Sequence, residues 1–166
     1  MIDIYCIDSS VWIKIKDEYP IDIFPSLWSN IIDLINKNRV ITPKEVINEI
    51  FDEEILIWIK DYEDLFVIDL NAKQIEKVKD VVRNFPDIVD YEKERPDADP
   101  FIIGLVLARK EEESTSLITI NNVYIVVTDE SPTKRGYRKK IPYVCSQYGI
   151  ECINLFQFFR REGWTF

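Results

Sequence analysis

The chain has 166 residues, 46% hydrophobic and 31% charged, with 4 Gly and 8 Pro; this globular composition excludes fibrous and disordered classes. It contains no histidine, which removes Ser-His-Asp and Cys-His hydrolases, His-ligated zinc and imidazole acid–base chemistry. A net charge of −9 repels phosphate on average, so nucleic-acid binding needs a local basic patch.

Ile2–Ile7 is β-rich and reads as a first strand. Asp8-Ser9-Ser10 follows as a run of cap residues, after which residues 11–16 look helical. Apolar residues then recur at Leu27, Trp28, Ile31, Ile32, Leu34 and Ile35, an amphipathic helix over 26–36. Residues 39–41 read as a second strand. Thr42-Pro43-Lys44-Glu45 reads as a capping box with Pro at the first helical position, opening a helix to about Phe51. The pattern continues with a helix over 54–62, a strand over 65–68, a helix over 72–83 and a polar connection over 86–96. Asp99-Pro100 reads as cap and first turn of a helix to Glu112, apolar on nearly every side in its first half, as in a centrally covered helix. The run at 122–128 is a buried strand without alternation. A helix over 141–148, a strand at Glu151–Ile153 and a helix at Leu155–Arg161 close the chain. Strands alternating with helices predict an α/β fold, three layers (α/β/α) around a mainly parallel central sheet, in one domain over 1–166.

Cys6, Cys145 and Cys152 are odd in number and lack metal-ligand spacing, so the reading expects free thiols and a reducing, cytoplasmic setting. The opening residues carry no basic n-region, and the longest apolar run, 101–108, is far below the roughly 18 residues of a membrane span. A soluble protein with no membrane partner is expected.

Without histidine, the candidate chemistry rests on carboxylates. Parallel sheets gather their sites at the carboxyl ends of strands. Two predicted strands end in acid, one at Asp8 and one at Asp129-Glu130, while Glu49 and Asp99 ride on or begin helices. Converging carboxylates would form an oxygen-rich site for a hard cation, Mg2+ or Mn2+, able to activate water at a scissile phosphate. Each acid also has a plain structural role open to it: Asp8 and Asp99 as helix caps, Glu49 as a solvated helix residue, Asp129 and Glu130 as loop acids. Glycine-rich phosphate loops are missing. Residues 134–140 hold five basic side chains in seven positions, either a solvated loop or a phosphate-holding segment with Tyr137 as a stacking face.

Taken together, these residues resemble a PIN-domain nuclease. The resemblance runs through residues 4–13 around Asp8, then Thr42-Pro43, Val46-Ile47-Asn48-Glu49, Ala98-Asp99-Pro100 and Val126-Val127-Thr128-Asp129-Glu130. Ala-Asp-Pro, Val-Val-Thr-Asp-Glu and residues 141–145 are similar to a PIN-like branch of uncharacterised function. The resemblance implies a magnesium- or manganese-dependent ribonuclease, often the toxin of a toxin–antitoxin pair. It assigns metal-holding roles to Asp8, Glu49, Asp99 and Glu130, with Asp129 beside Glu130 as the other candidate for the fourth acid. Asp97 could stand in for Asp99, and Glu53 for Glu49. Ser10 matches the position that orients the first acid or its metal water; Lys134, Arg135 and Arg138 would contact RNA. An antitoxin protein and a second copy of the chain remain open as partners. The other readings are a non-catalytic PIN-like partner-binding module and a structure-specific DNA nuclease.

Overall fold

The computed structural model describes residues 1–91, 97–116, 122–131 and 140–166. Five strands form one parallel sheet: β1 (Ile2–Ile7), β2 (Val40–Pro43), β3 (Val67–Ile68), β4 (Asn122–Val127) and β5 (Glu151–Ile153), in the spatial order β3-β2-β1-β4-β5. The helices are α1 (Ser9–Glu18), α2 (Pro25–Asn36), α3 (Lys44–Asn48), α4 (Glu53–Phe66), α5 (Ala72–Asn84), α6 (Asp99–Ser114), α7 (Ile141–Gln147) and α8 (Leu155–Arg161).

The order places β2 and β3 on one side of β1, and β4 and β5 on the other. Right-handed crossovers then send the connecting helices to opposite faces. α1, α2 and α4 pack together, with α2 and α4 against β2, while α6 lies across β1, β2 and β4 between α5 and α7. This is the three-layer α/β/α arrangement, and every strand pairing in it is parallel. Among the described residues, no helix is long and apolar enough to cross a membrane.

Burial explains the two central elements. Tyr5, Cys6 and Ile7 of β1 and Ile125, Val126 and Val127 of β4 are wholly buried, because helices cover both faces of this part of the sheet. α6 is buried from Asp99 to Val106 with one exception, Phe101. It also approaches α5 closely: a Cβ on Gly104 would stand 2.5 Å from the Val78 Cγ2 and 2.9 Å from its Cα. Only a residue without a side chain permits that contact.

Tertiary pairing overrides three local expectations. Thr42 belongs to β2, paired with Val67, and its hydroxyl donates to the Ile7 carbonyl and accepts from the Trp12 indole at 3.1 and 3.3 Å. It caps no helix; Pro43 is the residue before α3, which ends at Asn48. Leu65 and Phe66 continue α4, so the third strand is only Val67–Ile68. Ala98 takes the cap position of α6, which puts Asp99 inside its first turn. A short 3-10 turn (Pro86–Ile88) interrupts the expected polar connection.

Candidate functional site

The sheet order has one switch point. Chain direction across the sheet reverses between β1 and β4, which opens a crevice beyond the carboxyl ends of these two strands. Their register pairs Ile7 with Val127, so the next residues, Asp8 and Thr128, emerge side by side there.

Asp8 is 3% exposed and closes a dense set of hydrogen bonds. Its Oδ1 accepts from the Ser9 backbone amide at 2.7 Å, which caps α1, and from the Ser9 hydroxyl at 3.3 Å. Its Oδ2 accepts from Ser10 Oγ at 2.6 Å and from Thr128 Oγ1 at 2.9 Å. Burial pushes the Asp8 carboxyl above the usual range and the Glu130 charge adds to this, while the Ser10, Thr128 and Ser9 donors pull it down. Asp8 is therefore both a cap and the centre of the cluster.

Glu49 follows α3 as its C-terminal cap residue. One carboxylate oxygen accepts from Ser9 Oγ at 3.1 Å and the other from the Ala98 amide at 3.0 Å. It joins the start of α1 to the start of α6. Asp99, 6% exposed, is pushed well above its ordinary range by burial, then by the charges of Asp97, Glu130 and Asp8 and a side-chain hydrogen bond with Asp97. A hydrogen bond between two carboxyls needs a proton on one of them. Asp97, 2% exposed, also accepts from the Asp90 amide at 3.0 Å.

Glu130 and Asp129 diverge. The Glu130 amide donates to Thr128 Oγ1 at 3.2 Å, and its carboxylate accepts from Lys140 Nζ at 2.7 Å and the Ile141 amide at 3.0 Å. Its charge reaches both Asp8 and Asp99. The Asp129 carboxylate instead faces outward to Lys14 Nζ at 2.9 Å, and only its amide touches the cluster, donating to Ser10 Oγ at 3.1 Å. Of the two, it is Glu130 whose charge acts on Asp8 and Asp99, while the Asp129 carboxylate is taken up by Lys14. Glu53, the alternative to Glu49, opens α4 and is exposed.

The donor set suits a hard divalent cation: carboxylates and hydroxyls, with no imidazole in the chain. Among the described residues, however, no three acids or cysteines stand close enough to hold one ion together. The physical reason is visible in the hydrogen bonds: the Glu49 and Glu130 oxygens are drawn to Ser9, Ala98, Lys140 and Ile141.

The family described as Domain of unknown function (DUF4411) matches residues 5–166. The chain belongs to this family. The DUF4411 match runs from within β1 to the end of the chain, so Asp8, Glu49, Asp99 and Glu130 all lie inside it. No curated protein and no solved structure matches the chain.

Two contributors to the site in this DUF4411 chain, Ser9 and Thr128, lie beyond the acids and Ser10 singled out in the sequence, and Lys140, part of the basic run there, takes a different role. Ser9 bridges Asp8 and Glu49, Thr128 bridges Asp8 and the Glu130 amide, and Lys140 holds Glu130. Thr128 stands two residues before Glu130 in the sequence; the Ser9–Glu49 contact spans 40 residues, and no local pattern carries it. Lys134, Arg135 and Arg138 lie outside the described residues.

Proposed function

We propose that the chain is a divalent-metal-dependent endoribonuclease resembling the PIN-domain nucleases, with Mg2+ or Mn2+ as its cofactor. The observation that carries the reading is the gathering of Asp8, Asp99, Glu49 and Glu130 around the β1–β4 switch point, where open parallel sheets hold their ligands. Asp8 and Asp99 would hold the ion, with Glu49 and Glu130 completing the acidic wall. The ion would supply charge neutralisation at the scissile phosphate and a more acidic water.

The chain's own residues have distinct tasks. Ser10 and Thr128 orient Asp8 through its Oδ2 and favour its ionised form against the opposing effect of burial. Burial and the charges of Asp97, Glu130 and Asp8 hold the Asp99 carboxyl well above its ordinary range, a repulsion that a bound cation would relieve. The basic segment before Lys140 would offer positive charge to RNA phosphates in a chain of net charge −9, while Lys140 itself pairs with Glu130. The reading extends to a cytoplasmic protein whose partners are RNA and, if it is a toxin, an antitoxin protein or a second copy of the chain.

A second reading, a partner-binding module without catalysis, is favoured by one fact: Asp8, Glu49 and Glu130 each accept a backbone hydrogen bond that holds the fold. The two readings separate on Asp8→Asn, which keeps capping ability but deletes the charge a hard cation requires. The nuclease reading expects metal-dependent cleavage of single-stranded RNA by purified protein to fall by at least roughly 100-fold, since losing even an outer-shell partner costs ~10–100-fold. Equal cleavage by parent and variant would overturn it.

A further inference from the structure

A cavity of about 340 Å³ opens beside the acid cluster, beyond the ends of β4 and β5. It shares Thr128 and Glu130 with the cluster, and its remaining wall includes Pro142, Cys152, Asn154 and Gln157. Its volume lies in the range of small-molecule sites, roughly 300–1,000 Å³.

The chemistry of the wall selects among parts of a nucleic acid. Among the described residues its charged members are Asp129 and Glu130, both acids, paired with Lys14 and Lys140. Among the described residues no cation is part of its wall, and the two carboxylates there disfavour a phosphate. Pro142, Cys152 and Ile153 offer apolar surface for a flat ring. Asn154 and Gln157 commit their amide oxygens to a reciprocal cap at the start of α8, at 2.9 Å in each direction. Their NH2 groups remain as donors, suited to the carbonyl and ring-nitrogen acceptors on a base edge.

We propose that this cavity is a nucleobase subsite, which takes a neutral base of the strand whose phosphodiester lies at the acid cluster. The subsite deepens the ribonuclease reading and rests on it for its role in cleavage, but base binding itself does not require metal or catalysis. A single strand can place a base there because its bases are not held in a duplex stack. Thr128 then belongs to both parts, with its hydroxyl on Asp8 and its residue in the cavity wall.

The test is a titration of the full chain with the four ribonucleosides, without metal, followed by amide chemical shifts. Shifts at Cys152, Ile153 and Gln157 with at least one nucleoside are expected. Gln157→Glu keeps a cap acceptor for the Asn154 amide and removes the NH2 donor, so nucleoside affinity should fall roughly five- to tenfold, the loss of one neutral hydrogen bond. Absence of shifts at these residues, or displacement of the nucleoside by inorganic phosphate, overturns the subsite. Nucleoside binding in a chain that cleaves no RNA sustains the subsite and overturns the ribonuclease reading. RNA cleavage without nucleoside contacts here does the reverse.

Discussion

Glu49 accepts a hydrogen bond from Ser9 Oγ with one oxygen and from the Ala98 amide with the other, at 3.1 and 3.0 Å. This single side chain fixes the spacing between the helix starts that carry Asp8 and Asp99. Glu49→Ala should lower stability by about 1–3 kcal/mol, the range for lost hydrogen bonds to a charged group. Glu49→Gln keeps an acceptor for Ala98 and gives Ser9 a donor, so it should melt close to the parent. Under the metal reading, the parent's melting temperature rises with added Mg2+ or Mn2+ and that of Glu49→Gln rises less. Thermal denaturation with and without the cation measures both effects.

Asp99 supplies a pH prediction. Its folded carboxyl is raised by burial and by Asp97, Glu130 and Asp8. A raised acid contributes stability that is complete below its unfolded value, roughly pH 4, and lost as pH rises through the folded value. Asp99→Asn removes that loss and retains a donor toward Asp97. The variant should melt higher than the parent at pH 7–8, by roughly 2–4 °C per kcal/mol of relieved repulsion, and the gap should close near pH 4. A constant gap across this range would show that ionisation of Asp99 is not its source.

The fourth acid can be decided by a pair of variants. Asp129 pairs with Lys14 on the surface, so Asp129→Asn should cost under about 1 kcal/mol and leave RNA cleavage intact. Glu130 lies within the charge field of Asp8 and Asp99. Glu130→Gln should reduce metal-dependent cleavage at least roughly tenfold while circular dichroism stays unchanged. The reversed ranking would assign the role to Asp129.

Gly104 tests the packing that carries Asp99. A methyl group there meets the Val78 backbone at 2.9 Å, which a rotamer change cannot relieve. Gly104→Ala should destabilise by about 1–3 kcal/mol despite its better helix propensity. Urea unfolding gives the value, and an unchanged midpoint would mean that α5 and α6 separate freely.

Much was legible along the chain because it depends on near neighbours. The first strand is where its β-rich run stands, Ile2–Ile7, and the apolar face of α2 follows its 3.6-residue period. The absence of histidine leaves carboxylates as the chain's candidate reactive groups. Thr42 and Glu45 form a good capping box on paper, yet the strand pairing of Thr42 with Val67 withdraws it from the helix; the gain in sheet hydrogen bonds and burial outweighs one cap. Asp99 reads equally well as a cap, and only the seating of α6 moves it into the first turn, buried against Asp97.

What the amino-acid sequence determined by itself, then, is the alternation of strands and helices and the set of oxygen ligands on offer, since both follow from local periodicity and side-chain type. Tertiary structure decided the rest. The strand order puts Asp8 and Thr128 at the same crevice, and hydrogen bonds spanning 40 to 120 residues orient the acids within it. It also sets the Glu130 carboxylate on Lys140 and the Ile141 amide and the Asp129 carboxylate on Lys14. Two adjacent acids after a strand have the same local chemistry; which one pairs with Lys14 and which with Lys140 and the Ile141 amide is decided by how α1 and the start of α7 pack around the end of β4.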